Sequence, residues 1–326
     1  MKTNLPSIKL IFLLLPALLL LSFNCGSNTA ATTVIKTKAP APFNLITEKQ
    51  FNDLFPQRNA FYTYAAFIKA IQKISAIQVK VSRHSISSYQ YTRTDKTTGK
   101  SAIVRQDADW KTATPDSTFT VDYGNFCTEK DVQTNKKELA AFLANVAHET
   151  RDGDFGKYQY GLIFTREIDT SNTYIAPNDA YPPVAGNRYY GRGPIQLSYN
   201  GNYGKASNFI FGDKNILLKN PKMIENDPVL AFETAIWFWM TPETTKPSAH
   251  DVMIGKWQPN ATDKAEGRTP GFGMTVNIIN GPVECNKGDN RSMNDRIGFY
   301  QFFLQKLGVT DPNCACSCGK MMPYHY

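Results

Sequence analysis

Two stretches of this 326-residue chain hold residues whose types and spacing could do chemistry. The first, Asn135 to Thr150, reads NKKELAAFLANVAHET and ends in His148, Glu149 and Thr150. His148-Glu149 opens like the zinc-protease pattern His-Glu-x-x-His, but Asp152 stands where the second histidine belongs, so no metal site follows. Glu149 is then read as a carboxyl group in its own right. Placed at the margin of a core it is partly desolvated, which disfavours its anion and raises its pKa. A carboxyl of that kind suits general-acid work near neutral pH. The competing reading is a surface glutamate at a helix end.

The second stretch, residues 188–204, reads RYYGRGPIQLSYNGNYG. Gly191 and Gly193 around Arg192 permit a tight turn, and Pro194 prevents an immediate helix. A phosphate-cradling loop needs a different spacing and a Lys-Ser/Thr pair. Tyr189, Tyr190, Tyr199 and Tyr203, alternating with Gln196, Ser198, Asn200 and Asn202, suit a sugar instead. Aromatic faces pack on the C–H faces of pyranose rings, while amides and hydroxyls bond the polar edges. A tyrosine-rich turn that merely plugs the core is the alternative.

The elements that must position these groups are mostly helical. Leu139, Phe142, Leu143 and Val146 recur at i, i+3, i+4 and i+7, the period of an amphipathic helix. Asn135 with Glu138 predicts its N-cap, and Asp152-Gly153 its stop. On that helix Glu149 lies about 70° from the centre of the apolar stripe, neither fully solvated nor fully buried. Two short helical patterns fall between about 48 and 72. An apolar helix from Pro228 to Met240 takes Trp237, Phe238 and Trp239 into the core. A further helix, opened by Asp295-Arg296, carries its stripe on Ile297, Tyr300, Phe303 and Leu304. Residues 83–125 differ: polar and β-branched residues alternate around a Thr-Thr-Gly turn, which predicts a hairpin inserted into the helical domain.

Composition bounds the rest. The formal charge is +8, but the basic residues are scattered, with no run that suggests a nucleic-acid arm. Lys2 and Lys9 precede an apolar run, Leu10 to Phe23, that reads as an export signal over residues 1–25. Cys25 follows in the manner of a bacterial lipoprotein, although Ser22 and Asn24 depart from the usual pattern, so export is expected and a lipid anchor at Cys25 is left open. Residues 26–44 read as a flexible tether and 45–326 as one large domain. Six cysteines in an exported chain allow disulfides. Cys285 is expected to pair with one of Cys314, Cys316 and Cys318, Cys314 being favoured.

Taken together, AAFLANVAHET, YYGRGPIQLS, TAIWFWMT, PGFG, NIING and DRIGFYQFFLQKLGV, in that order, resemble the catalytic domain of plant-type family 19 chitinases from about Phe51 to Asn313. The resemblance implies a mainly α, lysozyme-like bilobal domain with a central cleft and small β-hairpin insertions. It also implies endo-hydrolysis of β-1,4-linked N-acetylglucosamine polymers with inversion, by a monomer that needs no cofactor or metal. By that resemblance Glu149 falls on the general acid, Glu167 on the general base, and Ser198 on the serine that helps hold the water. His148, Gln196, Asn202, Tyr181, Tyr189, Lys246, Asn280 and Arg296 fall on positions that bind sugar or support the two glutamates. An inverting pair needs about 6.5–9.5 Å between carboxyls, with Glu149 in a drier setting and Glu167 in a more polar one. Arg296 beside a catalytic glutamate would favour its anion, which suits the base.

Several positions depart from the family. Arg151 and Asp152 replace small residues, and Tyr181 stands where plant members carry a substrate-stacking tryptophan. Ile163, Ile175 and Pro183 occupy half-cystine positions, so two plant disulfides cannot form. Two other functions fit less of the chain. A peptidoglycan-directed glycosidase would share the linkage, and a non-hydrolytic chitin-binding protein would not need both glutamates.

Overall fold

A computed structural model describes residues 43–85 and 87–324. The proposed leader, Cys25 and most of the tether lie outside the described residues. In chain order the helices are α1 (Glu48–Leu54), α2 (Tyr64–Ser75), α3 (Val132–Glu149), α4 (Asn200–Phe211), α5 (Asn215–Lys219) and α6 (Met223–Asn226). They continue with α7 (Pro228–Met240), α8 (Ala249–Met253), α9 (Ala261–Ala265), α10 (Phe272–Glu284) and α11 (Arg291–Leu307). Between α2 and α3 run four strands, β1 (Ile77–His84), β2 (Ser88–Asp95), β3 (Ser101–Gln106) and β4 (Ser117–Asp122).

The central helix α3 starts earlier than its apolar period suggests. Asp131, not Asn135, is the N-cap, accepting from the backbone N–H groups of Gln133 and Thr134 at 3.1 Å. Asn135 is buried and bonds the backbone of Glu129 instead. Glu138, also buried, receives the Cys127 N–H and the Trp239 indole N–H, with His250 Nδ1 2.6 Å away. A buried carboxylate is tolerated because each oxygen has partners. It ties α3 to α7 and α8.

Aromatic rings fill the space around α3. Phe142 lies edge-on to Trp239 and Phe126 and stacks near Phe67, while Phe67 meets Phe232. Trp237 and Trp239 are fully buried, as their place on an all-apolar helix requires. Asp227 caps α7 and Pro228 supplies its first residue, where a missing N–H costs nothing.

The predicted hairpin is part of a larger antiparallel sheet ordered β3-β2-β1-β4. The Thr97-Thr98-Gly99 turn does join β2 to β3, with Gly99 at a φ of 69°. Strand β1 pairs with both β2 and β4, Val79 facing Arg93 on one side and Val121 on the other. Alternation sends Val79, Val81, Tyr91 and Val121 inward. Arg93 reaches the end of α4, bonding the carbonyls of Phe209 and Ile210 at 2.9 and 3.0 Å.

The cysteine pairing differs from the expectation. Cys285 bonds Cys318, 33 residues on, and Cys314 bonds Cys316. The segment bearing Cys314 and Ala315 folds over the start of α10, where their carbonyls accept the N–H groups of Phe272 and Gly273, both at 3.0 Å. Gly271 and Gly273 leave room for it, since a Cβ on either would collide with that backbone. The approach brings Cys318, rather than Cys314, beside Cys285.

Candidate active site

Glu149 is the last residue of α3, and the chain turns sharply after it. Thr150 organises the turn: its hydroxyl donates to the Val146 carbonyl and accepts the Leu162 N–H. Its carbonyl accepts the N–H groups of Ile163 and Phe164 at 2.9 and 3.1 Å. A loop of about a dozen residues is thereby folded back onto the helix end. The next residues, Thr165 to Glu167, lie against Gly191 to Gly193. Gly193 N–H donates to the Thr165 carbonyl and Glu167 N–H to the Gly191 carbonyl, each at 2.8 Å.

The glycine-punctuated turn works as its sequence suggests. Gly193 sits at a φ of 70°, and Arg192 and Leu197 exchange backbone hydrogen bonds across it. Gly191 packs closely on Gln196, whose Oε1 would lie 2.7 Å from a Cβ there and whose side chain would have to shift. The buried guanidinium of Arg192 stacks on Tyr190 at 3.8 Å and bonds the Tyr203 hydroxyl at 2.9 Å. Tyr190, Tyr203 and Asn200 are therefore interior. So is Tyr189, whose hydroxyl donates to the Leu218 carbonyl, which removes it as a sugar contact. The core-plugging reading holds for these four, while Gln196, Ser198, Tyr199 and Asn202 keep solvent access.

Tyr181 is a second correction. It is 3% exposed, pressed against Gly204, with the Arg105 guanidinium from β3 5.4 Å from its ring centre. Arg105 covers it, so it has no free face on which a sugar could stack.

Each glutamate has its own partners. Glu149 Oε1 lies 2.5 Å from Arg296 Nη2. Arg296 is wholly buried on α11 and also donates through Nε and Nη2 to Glu284, the last residue of α10, and through Nη1 to Asn145 on α3. Burial opposes the charge of Arg296, but Glu149 and Glu284 outweigh it and raise its pKa. Burial likewise works against the Glu284 anion, yet Arg296 wins and holds that carboxyl below the usual range. The expectation that Arg296 serves the base is thus corrected: it bonds Glu149. The setting of Glu149 is ionic rather than dry, because α11 packs along α3 and delivers a guanidinium to it.

Among the described residues, the donors to Glu167 are uncharged. Tyr174 donates its hydroxyl to Oε1 at 2.7 Å and Gly191 its N–H to Oε2 at 3.2 Å. Ser198 Oγ bonds the Gln196 carbonyl, and Asn202 Nδ2 the Ser198 carbonyl. Asn280 sits at a break in α10, with φ −141° and ψ 31°, and its Nδ2 reaches Glu284 Oε1 at 2.8 Å. Lys246 Nζ lies 3.1 Å from the Ile278 carbonyl on the same helix. His148 Nδ1 lies 2.8 Å from Asp295 Oδ2, whose other oxygen takes Arg151 Nη1 at 2.7 Å. Arg151, a departure from the family pattern, is thereby built into the support of His148.

Sequence reasoning missed Glu284, Asn145, Asp295 and Tyr174. Only Asp295, named as a helix opener beside Arg296, carried any signal.

This arrangement has known counterparts. Chitinase C from Streptomyces griseus superposes with a TM-score of 0.56 at 31% identity, covering 84% of this chain and 80% of its own. A bacterial family 19 chitinase gives 0.55 at 31%, over 84% of this chain and 100% of its own. The fold is the lysozyme-like, mainly helical one of these glycosidases. The family model for class I chitinases, glycoside hydrolase 19, matches residues 116–316. Endochitinase 1 of Gossypium hirsutum is 36% identical over 323 residues, 92% of this chain and 83% of its own. Endochitinase CH25 of Brassica napus is 48% identical over 191 residues, but the match spans only 58% of that relative. This chain belongs to the glycoside hydrolase 19 family.

Proposed function

We propose that this chain cleaves β-1,4-linked N-acetylglucosamine polymers, chitin above all, at internal bonds by a single displacement that inverts the anomeric carbon. Glu149 is the general acid and Glu167 the general base, with Ser198 helping to hold the water.

The two carboxyls and their separate partners carry this reading. Glu167 receives a donor on each oxygen, which fixes the plane of its carboxyl group. Glu149 stands at the end of α3 and shares one guanidinium with Glu284. In the reaction Glu149 gives its proton to the leaving glycosidic oxygen as that bond to carbon breaks. Glu167 takes a proton from the water whose oxygen bonds the same carbon from the opposite face.

Gln196, Asn202, Lys246 and Asn280 supply amides and a cation for the sugar, and His148 buttresses the acid. An open depression lined by Phe155, Tyr158, Arg291 and Asn294 lies beside Asp295. The scheme uses no cofactor or metal. Residues 1–25 direct export, 26–44 tether, and 45–326 catalyse, so the enzyme works outside the cell or at its envelope.

The test is NMR of the first product anomer from N-acetylglucosamine hexamers. The α-anomer is expected; a β-anomer would overturn the mechanism, and uncleaved hexamers the substrate.

A further inference from the structure

One group that touches Glu167 belongs to none of the motifs above. We propose that Tyr174 is a positioning residue for hydrolysis: its hydroxyl holds the Glu167 carboxylate turned toward the attacking water. The inference rests on the reading of Glu167 as the base.

With Tyr174 on Oε1 and Gly191 on Oε2, the carboxylate plane cannot rotate without losing a donor. Each oxygen still has a lone pair for water. The backbone donor is fixed by the Gly191 turn, so the phenol sets the remaining freedom.

Tyr174 is itself held. Its φ is 52°, a left-handed conformation that a non-glycine residue seldom adopts. Its N–H reaches Asn172 Oδ1 at 3.0 Å, while the neighbouring Thr173 carbonyl accepts the Tyr189 N–H at 2.8 Å. The ring stands edge-on to Tyr199, 5.2 Å away, and Tyr199 too has a positive φ of 71°. Two adjoining tyrosines in a conformation that tyrosine rarely adopts place one hydroxyl on one carboxylate. Packing alone would be met as well by phenylalanine, so the hydroxyl needs another reason.

The charged and titratable groups facing it are few. Glu167, Tyr199 and Asp169 surround the phenol, while Arg166 turns its guanidinium toward the Tyr190 hydroxyl. Burial, then the hydrogen bond and charge of Glu167, push the Tyr174 phenol up to about 12. It therefore remains a donor through the whole working pH range.

The test is Tyr174→Phe, assayed for kcat and KM separately on N-acetylglucosamine hexamers. Losing the donor frees one oxygen of the carboxylate to turn, so kcat should fall roughly tenfold with KM little changed. Calorimetric binding of the hexamer should stay within a few-fold of wild type even if turnover is too slow to assay. An unchanged kcat, or a loss carried by KM and binding, in a protein whose wild type cleaves hexamers, overturns the inference alone. A wild type that leaves hexamers intact overturns it together with the assignment of the base.

Discussion

Glu284 Oε1 lies 2.7 Å from Arg296 Nη2, and both side chains are about 1% exposed. Neither belongs to the proposed proton-transfer pair, yet their contact decides how much positive charge reaches Glu149. Glu284→Gln would remove the second carboxylate from Arg296 and free the guanidinium to move with Glu149. We expect kcat at neutral pH to fall about 10–100-fold. An unchanged kcat would show that Glu284 has no hold on Glu149.

Glu149→Gln keeps the shape and loses the proton. Turnover should drop by at least about 10³-fold, while calorimetric binding of the hexamer changes by no more than a few-fold. Glu167→Gln should behave alike, and Ser198→Ala should slow the reaction less. Near-normal turnover in Glu149→Gln would end its role as acid.

Glu233 offers a test of stability away from the site. Burial raises its carboxyl to about 7, against the pull of Lys73, whose Nζ lies 3.0 Å away. The raised pKa means that the fold prefers the protonated form. Its contribution is complete below the unfolded value near 4.5 and is lost as pH rises through about 7. Glu233→Gln should therefore gain on wild type by ~1–3 kcal/mol between pH 5 and 8. Thermal melts of both proteins across that range would show it, and a constant difference would refute it.

The disulfide assignment is checked by digestion without reduction. Peptides linking Cys285 to Cys318 should appear, and none linking Cys285 to Cys314. Cys285→Ser should destabilise the protein by about 2–4 kcal/mol in denaturant titrations.

Period and composition made α3, α7 and α11 legible, because each buries one side or all of itself in the core. Their starts were less so. In α3 an aspartate four residues before Asn135 wins the cap, and α11 likewise starts at Asn290, well ahead of Asp295-Arg296. The β2–β3 hairpin announced itself through its turn, whereas β1 and β4 pair across the whole hairpin and leave no local mark. Tyr189 and Tyr181 failed as sugar contacts for a related reason. Residue type says that a tyrosine can stack, but not whether Leu218 or a residue of β3 already occupies it. Tyr174 and Glu284 were invisible because nothing near them in the chain resembles their partners. They reach those partners only through the folded-back loop and the break in α10.

The carbonyls of Cys314 and Ala315, seated on the first turn of α10, have a consequence for anyone shortening this protein. That helix ends in the counter-ion that balances Arg296, and the stitch from Cys285 to Cys318 clamps its far end as well. Trimming the tail before Cys314 would unfasten both ends of the rod and slacken the surroundings of the proposed acid from behind.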